Sequence, residues 1–419
     1  MLKVKSEFSK NVLTLLSGTA VAQAIPIAIS PILTRIYTPN DFGLVALFMA
    51  IAASFGGVAS LRYELAIMLP KKEEDAINLF ALSLLLTSVV SLTIFIVVIL
   101  FSEEIANLLG NKEIKFWLYF IPITVFFIGL YNILDKYNTR SKHYKDIAKS
   151  KVVKSIVLAS IQLGIGFIKQ GAAGLISGQI LAQIFANMRL LKNVINNKEL
   201  LSKISLHSIK AMAKRYINFA KYSLGGVIAS LLSVHFIEIL ISSFFSIATL
   251  GFYTLTQRIL GLPSSLIGGS IGQVFYQEAT QEKHKSGRAI DIYKKTFKKL
   301  FILAILFFGV LYFSVEDIFS FVFGQEWVLA GVYAKILMPL FFIRFIYVSL
   351  SMTYDVFEAL KLEFFWQIFY FLGLMALIFI CKDEKFEYFL KIFTIYGSLM
   401  YLISLYITYQ LAKGKKIWK

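Results

Sequence analysis

The 419-residue chain has a single cysteine, Cys381, which excludes an internal disulfide and any multi-cysteine metal site. Its four histidines, His143, His207, His235 and His284, are scattered, and no two stand at the helical spacing that holds a metal. Acidic charge is scarce, with 25 Asp and Glu against 43 Lys and Arg and a net charge of +18. Catalytic signatures are missing too. There is no G-x-x-x-x-G-K-[ST] loop, no H-E-x-x-H and no G-x-S-x-G elbow, so the chemistries that need them are excluded. The loops expected on the outer side are all short, whereas a membrane glycan polymerase or ligase calls for a large external domain. A carrier that is not an enzyme fits this pattern better than a catalyst.

Apolar residues are plentiful. The hydrophobic fraction is 58 %, the aromatic fraction 15 % and the mean hydropathy +0.71, a composition that only an integral membrane protein can keep from water. Thirty-nine Phe and twenty-one Tyr suit lipid-facing surfaces and interfacial belts. Apolar runs at about 11–34, 42–68, 76–101, 116–134, 152–168, 171–191, 222–246, 250–276, 300–315, 331–354, 362–380 and 388–411 predict twelve transmembrane helices in an all-α polytopic protein. With both termini cytoplasmic, the inner segments hold 30 Lys and Arg and the outer ones 6, the positive-inside distribution. The basicity therefore sets orientation and attracts anionic membrane lipids, and no nucleic acid partner is implied. Met1 to Lys10 reads as a short basic leader to a retained first span rather than a cleavable signal.

The stretch Ala24 to Gly43, AIPIAISPILTRIYTPNDFG, ends one apolar run with a charge and a turn and leads at once into the next. The same pattern recurs 208 residues later in ILISSFFSIATLGFYTL, with Gly251 at the offset of Gly43. Gly110 followed by Pro122 and Gly324 followed by Pro339 make a second pair of landmarks. The chain thus reads as two similar six-helix halves, as in many secondary transporters: an N-terminal bundle at 1–192, an amphipathic cytoplasmic linker at 193–221, and a C-terminal bundle at 222–419 with a basic tail.

The third span, 76–101, has no ionisable residue and is expected to face lipid. KYNTRSKHYKDIAKSK and HSIKAMAKRYINFAKY are basic segments read as amphipathic helices on the inner surface. Gly171, Gly174 and Gly178 allow close helix contact. Gly261, Pro263, Gly268 and Gly269 in the eighth span predict a bent or partly unwound helix, tolerated where it lines a cavity or packs on protein.

Charge inside spans is costly and usually faces a wet cavity, so the candidate residues are few. Arg62 lies about 12 Å from the inner end of the second span at 1.5 Å per residue, with Glu64 two residues on. Arg258 lies about 10 Å into the eighth span, and Glu238 about 12 Å into the seventh beside His235. Arg344 is near the middle of the tenth span, Asp355 is at its inner end, and Arg35 marks the outer end of the first. Arginine suits a buried phosphate or pyrophosphate because its planar fork donates several hydrogen bonds and stays charged. Structural roles stand beside these readings. On a helix Arg62 and Glu64 would point to different faces and each could bridge to another span; Arg35 and Asp41 could fix a turn; His235 could be a hydrogen-bonded core residue; Glu238 could bridge to an arginine.

LTRIYTPNDFG, RYELAIMLP, YNTRSKHYKDIAKSKV, GLISGQ, INFAKYSLGG, LGFYTLTQRILGLPSSLIGGSIGQVF and FGQEWVLAGVYAKILMP together resemble the bacterial polysaccharide-unit flippases of the Wzx type. These belong to the multidrug/oligosaccharidyl-lipid/polysaccharide exporter superfamily, and the resemblance covers about residues 8–411. It implies two six-helix bundles around a central cavity that alternates between inward-open and outward-open states. It also implies a lipid-linked oligosaccharide substrate on undecaprenyl pyrophosphate, carried across the bacterial inner membrane for O-antigen or another surface polysaccharide, with a glycan polymerase and other assembly proteins as partners. Arg258, Arg62, Arg35 and Arg344 are then expected to bind the pyrophosphate, and Glu64, Glu238 and Asp355 to be ion-coupling candidates for Na+ or H+, with no other cofactor and no metal. Two rivals stand: an ion-coupled multidrug exporter of the same superfamily, whose cavity should be net acidic, and a non-transporting scaffold of a glycan-assembly complex.

Overall fold

The computed structural model describes residues 7–168 and 171–415, so most of the basic leader, Lys169 with Gln170 and the end of the basic tail lie outside the described residues. All regular structure among the described residues is helical. Eight helical segments among them are long and apolar enough to cross a membrane, the longest being Glu73–Leu108 with 36 residues. The protein is an all-helical polytopic membrane protein. By internal contact the chain separates into Met1–Gly251 and Phe252–Lys419.

The first unit begins with α1 (Glu7–Ile36) and α2 (Pro39–Gly56). The turn between them is fixed locally. Thr38 caps α2, its side chain accepting from the Asp41 amide while the Asp41 carboxylate accepts from the Thr38 amide, with Pro39 in the first turn. After Gly56 the apolar run leaves the helix. A short helix α3 (Tyr63–Ala66) follows, then α4 (Glu73–Leu108), which kinks at Phe101. The predicted second span over 42–68 is therefore the 18-residue α2, a non-helical break and the four-residue α3, so a uniform 1.5 Å rise no longer measures the depth of Arg62. Leu85, Val89, Leu92, Phe95, Ile96 and Leu100 on α4 are exposed, the lipid-facing surface expected of a span without ionisable groups.

Next come α5 (Ile114–Leu118), α6 (Ile121–Arg140), α7 (Tyr144–Ile168) and α8 (Ala173–Ile195). The basic segment after 135 is not a separate surface helix. Its residues extend α6 and α7 and are joined by a turn at 141–143, because Arg140 pairs with Glu73 at 2.9 Å and Asp146 with Arg189 at 2.7 Å. Tyr37 donates to the Gln162 carbonyl at 2.6 Å and lies against Gly174, and Gly178 meets Gln162 and Leu158, so these two glycines serve close contact, whereas Gly171 instead takes a left-handed turn with φ of 91°. Then follow α9 (Lys198–Leu201) and α10 (Leu206–Arg215), within the segment expected as a linker; Met212 of α10 is buried while Leu206 is exposed. A π turn at Phe219–Ser223 leads into α11 (Leu224–Phe244).

The helix that opens the second half in sequence is packed within the first unit. The C-terminal end of α11 is held there by hydrogen bonds from Ser242 and Ser243 to the carbonyls of Leu109 and Leu108, both at 3.4 Å. The two repeated turns also meet. A β-carbon on Gly43 would collide with the Ile247 carbonyl, and one on Gly251 would collide with the Pro39 carbonyl. Only glycine at both positions permits so close a backbone crossing.

The second unit continues from α12 (Ile247–Pro263) through a π turn at Ser264–Gly268 into α13 (Gly269–Ser286). The region around Pro263 thus stays helical with a π turn rather than unwinding, a local register change that accommodates proline. Then come α14 (Ile290–Ala304), a π turn at Ile305–Gly309, α15 (Val310–Phe323), α16 (Val328–Leu350), α17 (Thr353–Val356), α18 (Leu360–Ile380) and α19 (Phe386–Ala412). Thr256 binds the Ala330 carbonyl at 2.8 Å and Phe252 packs edge-on against Trp327, which anchors α12 to the start of α16.

Candidate functional site

In the first unit, Arg62 and Glu64 come together. A continuous helix would set residues two apart roughly 200° around its axis. Here Leu61 and Arg62 have φ values of 50° and 68°, left-handed conformations that side chains rarely adopt. They bring Arg62 Nη1 to 3.1 Å from Glu64 Oε1, and the Ser60 hydroxyl donates to the other carboxylate oxygen. The Glu64 side chain is 3 % exposed and that of Arg62 21 %. Arg62 Nε is buried with no hydrogen-bond partner among the described residues.

The backbone of this break is satisfied by successive short turns, Val58 to Phe55, Leu61 to Val58 and Tyr63 to Ser60, each amide donating to the carbonyl three residues back. Its flanks are tied down as well. Tyr63 donates to the Ala213 carbonyl at 2.9 Å, Arg140 to the Ile67 carbonyl at 3.2 Å, and Asn132 to the Gly56 carbonyl at 3.4 Å. Non-helical backbone at membrane depth is tolerated where protein or a water-filled cavity surrounds it, and these partners supply such surroundings.

In the second unit, Arg258 is exposed on α12, while Leu255, Thr256 and Leu260 are buried. Thr254, Arg258, Gly261 and Ser265 follow one another at helical spacing and form a stripe of small or polar residues running from α12 into the π turn. A β-carbon on Gly261 would meet open space. Arg344, on α16, stacks over Phe341 at 5.4 Å and interacts with Tyr253, Tyr370 and Tyr401. Gln257 donates to the Tyr253 hydroxyl at 2.5 Å, so side chains on α12 extend from Arg344 to the residue before Arg258. Among the described residues neither Arg258 nor Arg344 has a carboxylate within ion-pair distance.

Glu238 lies 3.3 Å from His235 Nδ1, one turn away on α11, so each accounts for the other and no arginine bridge is needed. Asp355 is exposed on α17. Arg35 is exposed and donates to the Pro31 carbonyl at 3.0 Å, while Asp41 is engaged in the cap of α2. Sequence reasoning passed over Lys154, a span lysine whose ammonium sits 5.6 Å above the Tyr131 ring; its isolated charge in an apolar run was the available signal. It also passed over Ser60 and the tyrosines around Arg344, which carry no such signal.

These features define a transporter-type membrane protein with cationic groups set into its helices. Residues 32–331 match the family described as polysaccharide biosynthesis protein, and the chain belongs to that family. It is similar to the succinoglycan biosynthesis transport protein ExoT of Rhizobium meliloti strain 1021, 24 % identical over 320 residues, with 72 % of this chain covered. The chain spans 59 % of the length of that relative. Among solved structures it is similar to an inward-facing multidrug resistance transporter of the MATE family and MOP superfamily, with a TM-score of 0.69, 14 % identity and 95 % and 94 % of the two chains covered. It is also similar to the lipid II flippase MurJ in an inward closed conformation, with a TM-score of 0.69, 16 % identity and 95 % and 87 % covered. At such identities the likeness speaks for the fold. The resemblance read from the sequence motifs agrees with the family match and with both structures.

Proposed function

We propose that the protein is a flippase that moves undecaprenyl-pyrophosphate-linked oligosaccharide units from the inner to the outer leaflet of the bacterial inner membrane by alternating access, for surface polysaccharide synthesis. The observation that carries this reading is Arg258, exposed within a stripe of small or polar residues and without a carboxylate partner among the described residues. A helix face turned to lipid would be apolar, and an unpaired guanidinium suits a diphosphate. On this reading Arg258 is the principal pyrophosphate ligand, aided by Arg62, Arg344 and Arg35. Twelve spans with cytoplasmic ends, halves at 1–192 and 222–419, and the linker at 193–221 complete the proposal.

Without a P-loop, direction comes from a Na+ or H+ gradient, the membrane potential or removal of product outside. A coupled ion at Glu64, Glu238 or Asp355 must bind one state better than the other, since only differential affinity shifts an equilibrium. The family match, the succinoglycan transport relative and the flippase-like fold support the substrate class. The test is transbilayer movement of a fluorescent undecaprenyl-pyrophosphate oligosaccharide in proteoliposomes, with and without ion gradients. Movement is expected for the wild type and is reduced at least about a hundredfold in Arg258→Ala, the loss of a charged hydrogen-bond set. Unchanged movement in that variant would overturn the assignment.

A further inference from the structure

Arg62 carries its own anion, and the chain has distorted its backbone to supply it. Two consecutive left-handed residues, a conformation that side chains rarely adopt, are what turn Glu64 back onto Arg62. The hydroxyl of Ser60 fixes the far oxygen of the same carboxylate. Of the five N–H donors of a guanidinium, one Nη1 donor is directed at Glu64 and Nε has no partner among the described residues. A fifth of the Arg62 side chain is open, whereas Glu64 is shut behind it. An arriving anion therefore reaches the guanidinium from the open side and meets a cation already neutralised from the rear.

We propose that Glu64 is the internal counter-anion of the substrate site. It neutralises Arg62 when the site is empty, shares or yields Arg62 when a diphosphate arrives, and so keeps the grip weak enough for release on the far side. This rests on the reading of Arg62 as a diphosphate ligand. Glu64 is a positioning residue, since it acts through Arg62 and not on the substrate. A desolvated cation without a counter-charge holds an anion far more strongly than a paired one, and a carrier that binds one state too tightly remains in it.

The experiment uses the full-length protein in nanodiscs, with inorganic pyrophosphate as the titrant in calorimetry and the fluorescent lipid-linked oligosaccharide as the flipping substrate. Glu64→Gln keeps the shape and the acceptor for Ser60 and removes the charge. It is expected to tighten pyrophosphate binding at least about tenfold while slowing flipping, a combination that a merely structural residue does not give. Ser60→Ala, which loosens the carboxylate without removing it, should tighten binding about threefold. Equal or weaker binding in folded Glu64→Gln overturns the proposal; if that variant does not fold, equal or weaker binding in Ser60→Ala does so. Arg62→Ala separates the two readings. Its loss of pyrophosphate binding supports Arg62 as a ligand whatever Glu64 does, and unchanged binding overturns that reading and this one with it.

Discussion

The second helices of the two sequence halves, α2 and α12, begin alike, and the chain then treats an arginine in opposite ways. Each starts at a turn whose glycine, Gly43 or Gly251, admits a neighbouring backbone carbonyl. α2 then stops at Gly56, and the chain passes through left-handed residues that pair Arg62 with Glu64. α12 continues through Pro263 by a π turn and leaves Arg258 exposed with no carboxylate beside it. Breaking the helix lets a charge be neutralised locally; keeping it lets a charge be presented. The same residue type thus carries its own counter-charge at one place and stands without a carboxylate at the other.

The largest expected effect tests that contrast through stability. Arg62→Ala leaves a buried carboxylate without its partner and should destabilise the protein by about 3–5 kcal/mol, the cost of breaking a buried pair from one side. Replacing both Arg62 and Glu64 by apolar residues of similar volume should recover most of that loss. Arg258→Ala should change stability by less than about 0.5 kcal/mol, because no partner is left behind. Denaturant unfolding in detergent measures all three, and equal losses at Arg62 and Arg258 would erase the distinction.

The crossing that the two halves share comes next. Gly43→Ala and Gly251→Ala each drive a methyl group into a backbone carbonyl that cannot swing aside, for a cost of about 1–3 kcal/mol apiece. Because both substitutions push apart the same pair of segments, the double variant should lose less than the sum of the two. Strict additivity would mean that the contacts are independent.

How these sites were read from sequence follows from where their signals lie. The turn pair, the long apolar runs and the family motifs are local features of composition and spacing, and they were legible. The break after Gly56 was not. Val58-Ala59-Ser60-Leu61 is apolar enough to pass as span, and nothing in Leu61 or Arg62 favours a positive φ. The flanks of the break are tied to distant partners such as Ala213 and Arg140, and distant partners leave no mark in a single sequence. The ring of tyrosines at Arg344 was hidden for the same reason, since Tyr253, Tyr370 and Tyr401 come from three helices. The basic stretch after Lys136 misled in the other direction: its charges looked like a surface helix but serve ion pairs that lengthen α6 and α7.

Whether the α12 stripe faces water can be read by chemistry at introduced thiols. Cys381 is fully buried and its thiol is pushed up by that burial, so the wild-type background should be low. Thr254→Cys and Ser265→Cys should react with a membrane-impermeant maleimide at least about tenfold faster than Leu255→Cys. Similar rates at the three positions would remove the stripe as a distinguishing feature of α12.

The smallest effect gives the finest test. Gly261 sits one turn beyond Arg258 and, unlike Gly43 and Gly251, has open space where a β-carbon would go. Gly261→Ala should therefore stabilise the protein by up to about 1 kcal/mol through helix propensity alone. Flipping should be unchanged in that variant, because a methyl group leaves the guanidinium accessible, whereas Gly261→Trp should fill the space beside it and slow flipping without loss of stability. If tryptophan were accepted with full activity, the open face at Gly261 would belong to lipid rather than to the substrate path, and the case for Arg258 would rest on its charge alone.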